Sequence, residues 1–74
     1  MNSNKEEFVK ILYKNYRGEA TIRHIRPSKA WYGVTEYHPV PQWFLKAWDL
    51  DKKAERDFAL ADVLKFSVND NTKN

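Results

Sequence analysis

The sequence predicts an all-β fold, a small five-stranded barrel of the SH3-like or Sm-like kind. Three observations carry that expectation. Apolar and polar residues alternate with a period of two over several short runs, the mark of half-buried strands. Those runs are rich in β-branched and aromatic side chains, and aromatics make up 15% of the 74 residues, as a pleated surface favours. The runs recur about every ten residues with Gly, Pro or Asp between them, which describes a meander. In a barrel each strand buries one face, and closure removes unprotected edges. An OB-fold is the second choice, but it needs a helix between its third and fourth strands, and the segment between Tyr37 and Gln42 has no room for one.

The first strand is expected over residues 8–16, where Val9, Ile11 and Tyr13 alternate with Lys10, Leu12 and Lys14. Gly18 then supplies the left-handed position of a short hairpin loop. The second strand is expected over 19–26 and stops at Pro27, which cannot donate to a ladder. The third covers 29–37 and ends at the stiff His38-Pro39-Val40-Pro41 segment. The fourth covers 42–49. The fifth covers 55–61 and follows a polar turn; residues 61–66 extend it or form one helical turn. Residues 1–7 and 67–74 are polar and read as tails around a single domain at 8–66, with capping-box spacing between Ser3 and Glu6. The expected core is Ile11, Tyr13, Ile22, Val34, Trp43, Leu45, Phe58 and Leu60.

Composition narrows the function. Thirteen Lys and Arg against ten Asp and Glu leave a net charge of +3, which permits an anionic partner. With no cysteine there is neither a disulfide staple nor a thiolate zinc site. The longest apolar run, residues 30–34, is too short to span a bilayer, and the polar N-terminus lacks a signal-peptide core. A cytoplasmic location and no membrane partner are the expectation. His24 and His38 have no third ligand at a telling spacing, no serine sits in a nucleophile elbow, and there is no glycine-rich phosphate loop. No catalytic residue, metal or cofactor is expected, and Asp49 and Asp51, beside Lys52 and Lys53, read as a solvated turn.

Several segments resemble WYL domains. Arg23-His-Ile-Arg-Pro27 is similar to that family's Arg-x-(Ile/Val)-x-Pro segment, and Ile11-x-Tyr13 with Gly18-Glu19 falls where its first strand and hairpin lie. Trp43-Phe-Leu45 takes the place of the Trp-Tyr-Leu triplet, with Ala47-x-Asp49 continuing it, and Arg56-x-Phe58-x-Leu60 resembles the Arg-x-Phe-x-Leu segment. The likeness runs from about Val9 to Val63. Two positions depart from it: Phe44 replaces the middle tyrosine, and Asp62 stands near where the family usually has an arginine. The resemblance implies an Sm-like, SH3-type barrel. It also implies a regulatory ligand sensor, here without the helix-turn-helix that often precedes the domain, of the kind found in small bacterial or phage-encoded proteins. The ligand it implies is nucleotide-like or a single-stranded nucleic acid.

The side chains add a local reason. In the fourth strand Trp43, Leu45 and Ala47 share one face, expected inward, and Phe44, Lys46 and Trp48 share the other. Two rings flanking a lysine are the pattern of a stacking platform with a phosphate contact. Arginine pairs with phosphate bidentately. The expected ligand-binding residues are Arg23 and Arg56, matching family arginines; Phe44, at the tyrosine position; and Arg26 and Trp48, from local chemistry. The alternative is a protein-interaction or self-association module that uses its exposed aromatics.

Overall fold

The structure, a computed structural model, describes residues 8–69. The expected N-terminal tail with its Ser3–Glu6 cap, and residues 70–74, lie outside the described residues. Five strands form one antiparallel sheet: β1 (Phe8–Lys14), β2 (Ala20–Gly33), β3 (Gln42–Asp49), β4 (Ala54–Ala59) and β5 (Val63–Asn69). A 3₁₀ turn, Leu60–Asp62, joins β4 to β5. The strand order is β4-β3-β2-β1-β5, so β4 and β5 are the two edges and no ladder closes the sheet.

The all-β expectation is met with five strands, though not the five expected. The second and third expected strands are one, β2, fourteen residues long. Pro27 sits inside it because the register with β3 slips between Pro27 and Lys29, where Ser28 is the extra residue. A bulge is the place where a central strand tolerates proline. The fifth strand is β5, which runs past the expected boundary at Phe66 to Asn69 and pairs with β1.

Asn15 and Gly18 build the β1–β2 turn. The Asn15 side-chain oxygen accepts from the Arg17 and Glu19 amides, and Gly18 takes φ of 83°.

Cross-strand pairs set the faces. Val9, Ile11 and Tyr13 stand opposite Ile25, Arg23 and Thr21; Ile25 stands opposite Asp49, and Leu45 opposite Phe58. On this inner face Ile11, Tyr13, Ile25, Ala47 and Phe58 form the buried cluster, with Val9, Leu45 and Val63 packed against it. Tyr13 of β1 and Phe58 of β4 meet edge to face with ring centroids 4.9 Å apart. Three strand spacings separate them in the order, or about 14 Å in a flat sheet at ~4.8 Å each. The sheet therefore curls until its two halves touch. The Ala59 amide donates to the Tyr13 hydroxyl across the same gap, at 3.0 Å.

Four expected core residues are exposed instead. Ile22 pairs with Leu12 on the outer face. Val34 and Trp43 belong to the far end of the β2–β3 hairpin, beyond the β1 ladder, which covers β2 only from Ala20 to Ile25. Leu60 lies in the 3₁₀ turn. Conversely Phe44, on the outer face, is fully buried. Trp31 stacks on it at 4.8 Å, the His38 ring meets it edge-on at 5.7 Å, and Ala59 stands opposite. Phe44 is thus the centre of a second, smaller core that the 34–41 loop covers.

Candidate functional site

The five expected ligand residues divide between the two faces. Arg23 and Arg56 stand opposite Ile11 and Ala47, on the inner side. Arg26 and Trp48 are cross-strand neighbours on the outer side, which Phe44 shares. The set therefore shares no single face.

Arg23 and Phe44 have other employment. The Arg23 side chain is only 16% exposed, and its Nη1 donates to Asp49 Oδ2 at 3.4 Å. Its Nε is buried with no hydrogen-bond partner. Phe44, at 0% exposure, offers no ring face to a base. Asp49 is likewise not the solvated turn residue its neighbours suggested. It is fully buried, and its Oδ1 accepts from the Asp51 and Lys52 amides at 3.0 Å each. That side chain organises the β3–β4 turn, where Lys53 adopts the left-handed φ of 56°. Asp51, by contrast, is exposed.

Arg26 and Trp48 stay together on the outer face as neighbours across the β2–β3 ladder. Trp48 is 42% exposed on the outer face, with Arg26 on one side and Glu55 on the other. Lys46 of the same face is tied to Asp57 at 3.5 Å, and Asp57 also accepts from Trp31 Nε1 at 2.8 Å.

One strand beyond Arg26, the outer face forms an open groove of about 410 Å³. Leu12 and Ile22 make its apolar floor, and Lys10, His24, Lys65 and Ser67 stand around it. His24 Nδ1 meets Asp51 Oδ2 at 3.0 Å. The hydrogen bond from His24 holds the Asp51 carboxyl below the usual carboxylate range.

Sequence reasoning missed Lys10 and Lys65. A signal was present: the segments forming β1, β2 and β5 contain Lys10, Lys14, Arg23, Arg26, Lys29 and Lys65, and no Asp or Glu.

Histidine and carboxylate pairs do occur, the second being His38 Nε2 with Asp62 Oδ2 at 3.4 Å. Among the described residues no three His, Asp or Glu side chains converge as a metal site. No helix there is long and apolar enough to cross a membrane. No protein family, curated protein or solved structure matches the chain.

Proposed function

We propose that this chain is a non-enzymatic binding module that takes a nucleotide-like or single-stranded nucleic-acid ligand on the outer face of its sheet. The observation that carries this is the pairing of a half-open Trp48 ring with Arg26 across the β2–β3 ladder. An aromatic plane stacks any base, and a guanidinium beside it takes the phosphate. Arg56 lies on the other face and has no part in this site, and Arg23 and Phe44 act in folding.

The same reading places the chain among WYL-like domains, with a sheet rolled as in SH3-type barrels. Two features support the roll: the Tyr13–Phe58 contact across the inner face, and the three-residue 3₁₀ turn that links edge strands β4 and β5. The role that follows is that of a ligand sensor in the cytoplasm, regulatory rather than catalytic.

Tryptophan fluorescence tests it. Thymidine monophosphate and oligothymidylates titrated at low salt should quench the protein. Trp48→Ala should weaken binding about five- to a hundredfold, the worth of one stacked base, and leave the far-UV spectrum unchanged. Absence of binding at millimolar ligand overturns the proposal. So does a Trp48→Ala variant that binds as the parent does.

A second reading has its own observation. Tyr32 and Trp43 meet edge to face at 5.4 Å at the hairpin's far end, 59% and 53% exposed. Such a pair suits a protein contact, including one with a second copy. Binding through it would be nearly insensitive to salt, unlike phosphate binding.

A further inference from the structure

Charge is distributed unevenly across the sheet. β1, β2 and β5 carry six Lys or Arg and no acid. β3 and β4 carry Lys46 and Arg56 against Asp49, Glu55 and Asp57. Arg23 is spent on Asp49 on the inner face. The register sends Lys10, Arg26 and Lys65 to the outer face, the last opposite Leu12. Read outward from Trp48, that face runs from Arg26 on β2 to Lys10 on β1 and Lys65 on β5, over the Leu12 and Ile22 floor. The acidic groups on the same side are Glu55 opposite Trp48, Asp57 paired with Lys46, and Asp51, whose carboxylate bonds His24 at the groove's β2 rim.

We infer that this groove is a phosphate track, so that the ligand is a strand of several nucleotides rather than a mononucleotide. The inference rests on the reading of Trp48 and Arg26 as the base-stacking end. From β3 to β5 is three strand spacings, about 14 Å at ~4.8 Å each. A stacked strand carries one phosphate per ~3.4 Å of axis, so the track spans about four residues. That is the lower end of the ~4–16 nucleotides occupied on small barrels that bind single strands. With those carboxylates on β4 and at the β2 rim, the β5 side is the favoured exit for the chain. The flat apolar floor accepts a second base, which a purely acidic peptide would leave unused.

The test compares thymidine monophosphate, dT4 and dT8 by tryptophan quenching across a salt series, with parent protein and the Lys10→Ala/Lys65→Ala double variant. Both lysines are exposed, and Lys10→Gln/Lys65→Gln serves if the alanine pair does not fold. Expected are at least tenfold tighter binding of dT4 than of the monophosphate and a log–log salt slope near −2, about 0.7 for each of three phosphates. The double variant should lose about 1.4 of that slope and bind dT4 no better than the monophosphate. If the monophosphate binds as tightly as dT8 and the double variant is unchanged, the track is wrong and the Trp48–Arg26 site stands. If none of the three binds, both readings fall. Equal competition by an oligoglutamate of matched charge would make the partner an acidic protein segment and overturn the nucleic-acid assignment.

Discussion

Replacing Asp49 by alanine should nearly unfold this domain. The side chain is wholly buried and accepts three hydrogen bonds: from the Asp51 and Lys52 amides at 3.0 Å and from Arg23 at 3.4 Å. Hydrogen bonds to a charged acceptor are worth about 1.5–3 kcal/mol each, and orphaning one member of a buried ion pair costs about 3–5 kcal/mol. These contributions overlap, because all three bonds end on one carboxylate. Water also reaches the turn amides once it is gone. The net expectation is about 3–4 kcal/mol against a total of about 5 at this chain length. Urea unfolding followed by tryptophan fluorescence reads it directly. Asp49→Asn keeps Oδ1 for the two amides and should cost about 1–2 kcal/mol, the amide bonds surviving without charge. In a cycle with Arg23→Met, the double variant should be less destabilised than the sum by at least about 1 kcal/mol. Asp49→Ala within about 0.5 kcal/mol of the parent, the usual range for an inert surface change, would refute this account of the turn. A vanishing coupling would refute the structural role given to Arg23.

Burial raises the Tyr13 hydroxyl above the ordinary tyrosine value, and the Ala59 amide only partly offsets it. The fold therefore prefers the neutral phenol, so that stability is full below roughly pH 10, the ordinary value, and is lost as pH rises through the raised one. A phenolate absorbance titration should show a late phase that coincides with unfolding and is absent in Tyr13→Phe. Gly33→Ala would set a Cβ 2.7 Å from Trp31 Cζ3, pushing the indole off Phe44 at a cost of about 1–3 kcal/mol for overpacking. An unaltered near-UV spectrum and unchanged stability would show that the Trp31–Phe44 stack tolerates the methyl.

Much of this architecture is local and was legible in the residues. The alternation of Trp43-Leu45-Ala47 against Phe44-Lys46-Trp48 delimits β3 at Gln42–Asp49 and assigns its two faces. Ile11, Tyr13 and Phe58 are core because each is a large apolar side chain in a period-two run that has only one covered side. The Trp48 ring and the Arg26 fork were legible as chemistry, but they are neighbours only because the second and third expected strands are one, β2.

Coverage is not local, and only the tertiary structure decided it. Period two states that Phe44 and Leu45 point apart, but not that both directions are covered. Phe44 is buried because the 34–41 loop brings His38 and because Trp31 folds over it. Trp43 is exposed because β1 ends before reaching it. Pro27 reads as a stop in one dimension; in the sheet a single bulge absorbs it and reverses the facing of everything after Ser28. Asp49 carries the same charge as Asp51, two residues on, and nothing in their shared surroundings of lysine separates them. The curl of the sheet puts one beneath Arg23 and leaves the other in water. Strand alternation and register put Arg23 and Arg56 on the face opposite Arg26 and Trp48, and a binding surface is made of residues that share a face, whatever their spacing along the chain.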